Sequence, residues 1–580
     1  MTNRDTGRFA FFRQVMADGI TCMFGNPGSS EENLLDALND PAFKDFSYYL
    51  ALQEGSVVGM ADAYARATPA VQLPGDPAPW RRPVLVQLHS YAGLANGLGM
   101  MYLARRGYTP MVVIAGEAGL RYEAMDGQMA ADLPAIARPF VKSDQNGPCA
   151  WRVVDAGSLL RLTRRAIKTA ATPPYGPVFL ALPMDVLDQP ATEPVARTIP
   201  VASRVLPDRS VIAAAARLLA AAQHPLILMG DGITAAGAQD ELADVATQLG
   251  ATVWGGNDSE VNLPVSHPLY AGALGHMFGE ASRTVTSAAD VVLACGTTLL
   301  PEVFPLADGV FAPNAKLIHF DLNEAEIGKN FPTAIAALAD PKPTLAALAQ
   351  ELGQIMDAGQ RATARDRLAH QRQAKEEARA KARAADQTAW QNGRLHISQF
   401  AKALAARLPP DAMIFDEALT SSPELMRYLP QDRPGHYFQT RAGMLGTGLP
   451  GAVGLKAAYP DRLVIGFTGD GGGISTIQAL ATAARHGLGA KFVVCNNRSY
   501  RILKYNLRNY WQALQQPANQ AFPPSFDLDR PELRFDKLAE GLGVAALRVE
   551  RPDEIEPALD RALQQPNEPF LIDLMLSSEL

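Results

Sequence analysis

The chain has 580 residues, 47% of them hydrophobic and 19% charged, with a formal net charge of −7. That length exceeds a single hydrophobic core and predicts three or four domains, and the apolar fraction excludes a disordered chain. The negative balance gives no general attraction to nucleic acid or to anionic membrane, and no apolar run reaches the roughly 18 residues that would suggest a membrane span.

The opening residues, Met1-Thr2-Asn3-Arg4-Asp5, lack the apolar core of a secretion signal. The four cysteines, Cys22, Cys149, Cys295 and Cys495, have neither metal-ligand spacing nor the pattern of a disulfide framework. A cytoplasmic location is expected. Apolar runs at 20–24, 48–50, 84–88, 111–115 and 178–182 alternate with helical stretches, which predicts a parallel sheet with helices on both faces over residues 1–186. Residues 187–207 are rich in proline and read as a linker. A second α/β domain is expected over 208–355, with strand-like runs at 226–229, 291–294 and 317–321. Its Gly230-Asp231-Gly232 reads as a strand-to-helix turn. Residues 356–394 form a charged helical linker. Asp366, Glu376, Glu377 and Asp386 are interspersed among its basic residues, so a solvated connecting helix is expected rather than a nucleic-acid patch. A third domain is expected over 395–580. The first and third look like two copies of one doubly wound, flavodoxin-like unit.

The most informative stretch lies in the third block. Gly469-Asp470-Gly471-Gly472-Gly473 follows a strand-like run at 462–468, and Asn496-Asn497 follows another at 491–495. Neighbouring strand ends of a parallel sheet can hold a ligand between them. Asp470 and Asn497, 27 positions apart, would offer a carboxylate and an amide oxygen to a hard cation such as Mg²⁺, which keeps a diphosphate as its other partner. The glycines would let backbone N–H groups approach phosphate oxygens. A lone Gly-Asp-Gly is a common surface turn; the second motif at a matching distance makes the signal strong. The arrangement resembles the thiamine diphosphate motif of thiamine-dependent enzymes. The resemblance implies that Asp470 and Asn497 ligate Mg²⁺ through side chains and Ser499 through its backbone carbonyl.

Three segments of the first block extend this reading. Glu54 sits between a strand-like run and a helix of small residues, where a carboxylate is costly without a partner. Taken alone it would be a helix N-terminal glutamate favoured by the dipole. Phe24-Gly25-Asn26-Pro27-Gly28-Ser29 makes a tight turn at a strand's carboxyl end, and Leu88-His89-Ser90 puts a histidine at the end of another. Together with Leu52-Gln53-Glu54 they closely resemble the benzoylformate decarboxylases and their relatives in the acetohydroxyacid synthase superfamily. The resemblance covers nearly the whole chain.

It implies three doubly wound parallel-sheet α/β domains: two flavodoxin-like thiamine diphosphate-binding domains flanking a Rossmann-like middle domain. It also assigns roles. Glu54 would meet the coenzyme's pyrimidine nitrogen, His89 would handle protons, and Ser29 would hold the substrate carboxylate or hydroxyl. Asn26, Pro27, Gly28, Leu419, Thr420, Ser421, Gly443, Leu445, Gly469, Gly471, Gly472 and Tyr500 would line the coenzyme. Within that set, Leu445 would wedge between the two rings and the Gly443 carbonyl would accept from the 4′-amino group. Ile502 and Leu503 would touch substrate, with Lys504 or Arg501 facing solvent.

Two departures stand out. The middle domain has no histidine at the family's second catalytic position near 296–305, although His276 lies nearby. A Pro-rich insertion at 68–82 is placed to shape or cover the entrance. The expected activity is thiamine diphosphate- and Mg²⁺-dependent, non-oxidative decarboxylation of a small 2-oxo acid to an aldehyde, with carboligation as a side or main reaction. The alternatives are an acetolactate synthase-like carboligase and, further off, a catalytically silent cofactor-binding protein. The family brings the coenzyme between two chains, so a homodimer is the minimum and a homotetramer the usual state.

Overall fold

The computed structural model describes residues 5–76, 78–256, 258–275, 277–429, 431–517 and 520–579. Contacts divide the chain into two compact units. One comprises Met1–Ala202, Gly393–Tyr428 and Ala442–Leu580, the other Ser203–Asn392 and Leu429–Arg441.

The first sheet is parallel. It is built from β1 (Cys22–Gly25), β2 (Ser47–Leu50), β3 (Val84–Leu88), β4 (Met111–Glu117), β5 (Ala150–Arg152) and β6 (Pro177–Pro183), ordered β2-β1-β3-β4-β6-β5. Strands β3, β4 and β6 are buried along their whole length, as unbroken apolar runs between two helix layers must be. Helices α1 (Gly7–Ala17), α2 (Glu54–Ala67), α3 (Ser90–Arg106) and α4 (Ala156–Ala170) supply the layers.

The insertion at 68–82 does not cover an entrance. Asp76 accepts from Leu73 N (2.8 Å), Trp80 Nε1 (3.1 Å) and Arg82 Nη2 (3.1 Å), and Arg197 Nη2 joins it at 2.6 Å. Arg82 Nε reaches back to the Asp18 carbonyl at 2.9 Å. Asp18 lies just ahead of β1, so the insertion is pinned at the amino-terminal edge of the sheet. Ligands in open α/β sheets bind at the opposite, carboxyl edge.

The second unit carries the middle sheet. Its parallel strands are β7 (Pro225–Met229), β8 (Thr252–Gly255), β9 (Tyr270–Ala273), β10 (Val291–Cys295), β11 (Lys316–Asp321) and β12 (Ile335–Leu338), ordered β9-β8-β7-β10-β11-β12. This is the Rossmann order. The Gly230-Asp231-Gly232 turn joins β7 to a short helix, Gly232–Ala236, as expected. The Asp231 carboxylate is saturated within its own unit by Ser259 N (2.9 Å) and Asn262 Nδ2 (3.0 Å).

The charged stretch is one 33-residue helix, α5 (Ala358–Trp390), started by an Asp357–Gln360 capping box. It is largely exposed, yet it is docked rather than free. Arg367 donates to the carbonyls of Ala222, Gln223 and Leu249. Lys375 Nζ donates to those of Val265, His267 and Tyr270. Long side chains bury their stems and spend their charged heads on backbone groups, which a count of charges along the sequence does not reveal.

In the third block, β13 (Met413–Glu417), β14 (Val464–Gly469), β15 (Lys491–Asn496), β16 (Ala545–Val549) and β17 (Phe570–Met575) run β13-β14-β15-β17-β16. This repeats the order β1-β3-β4-β6-β5, the duplication the sequence suggests. Helices α6 (Gly448–Ala458), α7 (Asp470–Ser475) and α8 (Arg501–Ala513) follow β13, β14 and β15. The small-residue face of α2 packs on α6 of the same chain, where a Cβ on Gly454 would lie 2.1 Å from the Met60 carbonyl. All four cysteines are buried and free.

Candidate functional site

The carboxyl ends of β1, β2 and β3 bring three of the expected residues to one rim. Glu54 opens α2, with Gln53 as N-cap accepting from Ser56 N at 2.7 Å. The Glu54 carboxylate is buried and fully oriented. Asn26 Nδ2 donates to Oε1 at 2.9 Å and Asn96 Nδ2, from α3, donates to Oε2 at 3.1 Å. Asn26 is held in turn through its carbonyl, which accepts from Gln87 Nε2 (3.2 Å), while Gln87 Oε1 accepts from Tyr48 Oη (2.6 Å).

His89 ends the β3 segment. Its Nδ1 lies 2.9 Å from Glu31 Oε2 and 3.1 Å from Ser30 Oγ. A nitrogen facing a carboxylate carries the proton, so Nε2 is left as the working atom. Glu31 is itself wholly buried and also accepts from Gly28 N (2.9 Å), Gly116 N (2.7 Å) and Ser30 Oγ (2.8 Å). Gly28 makes this possible: a Cβ there would lie 2.4 Å from the imidazole. Ser29 is exposed at the turn, beside Pro27, whereas its neighbour Ser30 is buried in the histidine network.

At the third sheet, β14 and β15 are hydrogen-bonded neighbours, so their ends present the two sequence motifs side by side. Asp470 starts α7 and is 3% exposed. Its oxygens accept from Gly471 N (2.8 Å) and Ser499 N (3.0 Å). Burial pushes its carboxyl above the usual range, only partly opposed by these backbone donors. Asn496 braces the loop by donating to Asp573 Oδ1 at 2.9 Å. Asn497 differs: its Oδ1 is buried and has no hydrogen-bond partner among the described residues. A buried amide oxygen left unpaired costs about 1–3 kcal/mol. The Ser499 carbonyl accepts from Arg501 N (2.7 Å), which uses one of its two lone pairs. A carboxylate, an orphaned amide oxygen and a carbonyl are the donor set a hard cation takes.

Around this loop, Tyr500 lies against Gly471, where a Cβ would come within 2.4 Å of the ring. Gly469 and Gly443 have open space where a Cβ would stand, and Gly443 adopts φ +68°. Leu445 is 38% exposed despite its size. Leu419 (φ +51°), Thr420 and Ser421 form a tight turn after β13. Ile502 is half-buried and Leu503 exposed at the start of α8. Lys504 does not face solvent; it pairs with Asp527 at 2.6 Å. Gly472 stands over Thr468 and Glu417. His276 lies outside the described residues.

Glu31, Ser30 and Asn96 escape sequence reasoning. Glu31 stands 58 positions from His89, and nothing in either segment's spacing announces the pair. The available signal was an acid two residues beyond the Gly-Ser of a ligand-edge turn.

Two doubly wound sheets of like topology, with an oriented glutamate on the rim of one and an acidic, glycine-rich loop on the other, define a thiamine-dependent α/β enzyme. The chain belongs to the thiamine pyrophosphate enzyme family. It matches that family's N-terminal TPP binding domain over residues 5–136, its central domain over 212–348 and its C-terminal TPP binding domain over 420–574. It is 30% identical over 570 residues to a benzoylformate decarboxylase of Pseudomonas aeruginosa, covering 97% of this chain and 98% of the relative. It is 25% identical to a probable acetolactate synthase large subunit of Methanococcus aeolicus, covering 98% of this chain and 92% of that one. Among solved structures, a thiamine diphosphate-dependent 4-hydroxybenzoylformate decarboxylase of Rhodococcus jostii superposes with a TM-score of 0.80 at 26% identity, covering 99% of each chain. No helix among the described residues is long and apolar enough to cross a membrane.

Proposed function

We propose that this enzyme is a Mg²⁺-dependent lyase that decarboxylates a 2-oxo acid to an aldehyde without oxidation. The observation that carries the reading is the Glu31–His89 pair, 2.9 Å apart on the rim that also holds Glu54. It is a proton-handling imidazole of fixed tautomer where carboligases of the acetolactate synthase kind usually have none.

Asp470, Asn497 and the Ser499 carbonyl would hold Mg²⁺, and the orphaned Asn497 Oδ1 is the feature that fits them to it. The coenzyme's diphosphate would take the remaining metal positions and the backbone N–H groups at Gly469, Gly471 and Gly472, with Thr420 and Ser421 as hydroxyl donors. Bound there, thiamine diphosphate supplies the electron sink that carbon dioxide loss requires. Glu54, oriented by Asn26 and Asn96, would meet the pyrimidine nitrogen. His89 Nε2 would give and take the proton of the reacting carbon, and Ser29 would hold the substrate carboxylate.

The 30% identity with a benzoylformate decarboxylase supports the same reading. Incubation with a panel of single 2-oxo acids (aromatic, branched and short) decides it. Released aldehyde and CO₂ are expected; a hydroxy-keto acid as the main product would make the chain a carboligase instead. A homodimer at minimum, and a homotetramer by family habit, is expected in sedimentation. A protein that binds coenzyme as a monomer would contradict that assembly.

A further inference from the structure

Glu417, the last residue of β13, is a carboxylate with 1% exposure and no cationic side chain paired with it among the described residues. Burying an unpaired carboxylate costs several kcal/mol unless strong hydrogen bonds hold it. Here they do. Oε1 accepts from Gly446 N, and Oε2 accepts from Gly448 N at 2.7 Å and from Thr468 Oγ1 at 2.9 Å. Thr447 N adds a further bond. Two glycines make room: a Cβ on Gly448 or on Gly472 would come 3.0 Å from Oε2. One carboxylate therefore meets the loop that carries Gly443 and Leu445, the strand end two residues before Asp470, and the first turn of α7.

We propose that Glu417 is a positioning residue that locks these three segments into one rigid cradle for the coenzyme. The inference rests on the functional reading above. An apolar side chain would fill the same space without the desolvation cost, but it would leave three backbone N–H groups unpaired and the Leu445 loop untied from the metal loop. The N–H groups of three successive residues converge on one anion, which fixes the peptide planes between Leu445 and Gly448.

The test is titration of the full-length apoprotein with thiamine diphosphate at saturating Mg²⁺, read by protein fluorescence and by the near-ultraviolet circular dichroism of the bound coenzyme. Glu417→Gln keeps the shape but turns an amide N–H₂ toward a backbone N–H. It is expected to weaken coenzyme binding about tenfold or more and to change the dichroism band. A role confined to stability would lower only the apoprotein's melting temperature. Thr468→Val, which removes one bond, should weaken binding several-fold, and Thr468→Ser should restore it; this pair decides the matter if Glu417→Gln does not fold. Folded variants with the parent's affinity and band overturn the proposal. A parent that retains no thiamine diphosphate with Mg²⁺ overturns the functional reading instead.

Discussion

Nδ1 of His89 lies 2.9 Å from a carboxylate oxygen of Glu31, whose side chain has no exposed surface. The pair fixes which imidazole nitrogen is free, and the same carboxylate gathers Gly28 N and Gly116 N, so ring orientation and loop shape share one anchor. Glu31→Gln is therefore expected to lower kcat by about a hundredfold, within the range of general acid–base contributions. Nitrogen-15 spectra of the imidazole should show mixed tautomers. Parent-like turnover with a single tautomer would remove Glu31 from the mechanism.

Gly28 tests the same geometry from the other side. A methyl group there would stand 2.4 Å from the His89 ring. Gly28→Ala is expected to reduce kcat at least tenfold while leaving the coenzyme's affinity within a few-fold of the parent, measured by titration with Mg²⁺ present. A loss of affinity without loss of kcat would return Gly28 to the coenzyme-lining role implied by resemblance.

The orphaned oxygen of Asn497 predicts opposite effects on stability and binding. Asn497→Leu removes a buried acceptor with no partner and is expected to stabilise the apoprotein by about 1 kcal/mol. The same change, like Asp470→Ala, should abolish Mg²⁺-dependent coenzyme retention after gel filtration. Retention that survives both substitutions, or survives chelation of the parent, would refute the metal loop.

Asp573 predicts a pH dependence. Burial raises its carboxyl to about 6, although Asn496 and Arg548 oppose the shift. The folded state thus holds a proton that the unfolded chain releases near pH 4. That contribution to stability is complete below about pH 4 and is lost as pH rises through about 6. Asp573→Asn should flatten the apoprotein's denaturation free energy between those limits, by on the order of 3 kcal/mol. An unchanged slope would show that Asp573 does not titrate there.

The sequence alone determined the class of fold, because a strand buried on both faces must be an unbroken apolar run. β3, β4, β6, β7, β10 and β15 all announce themselves in that way. It also placed Asp470 beside Asn497, since they lie at the ends of two such strands and local spacing suffices to pair them. It missed β5, β8, β9, β12 and β16, which are short and partly exposed, so nothing in their hydrophobicity separates them from loops. Only the tertiary structure set the Glu31–His89 pair, the Asn26–Glu54–Asn96 clamp and the Glu417 hub, and it moved the insertion at 68–82 to the far edge of its sheet. Each of these joins residues from separate strand ends. Hydrogen bonds act over about 3 Å, whereas sequence pattern reports only which face and which strand a residue occupies.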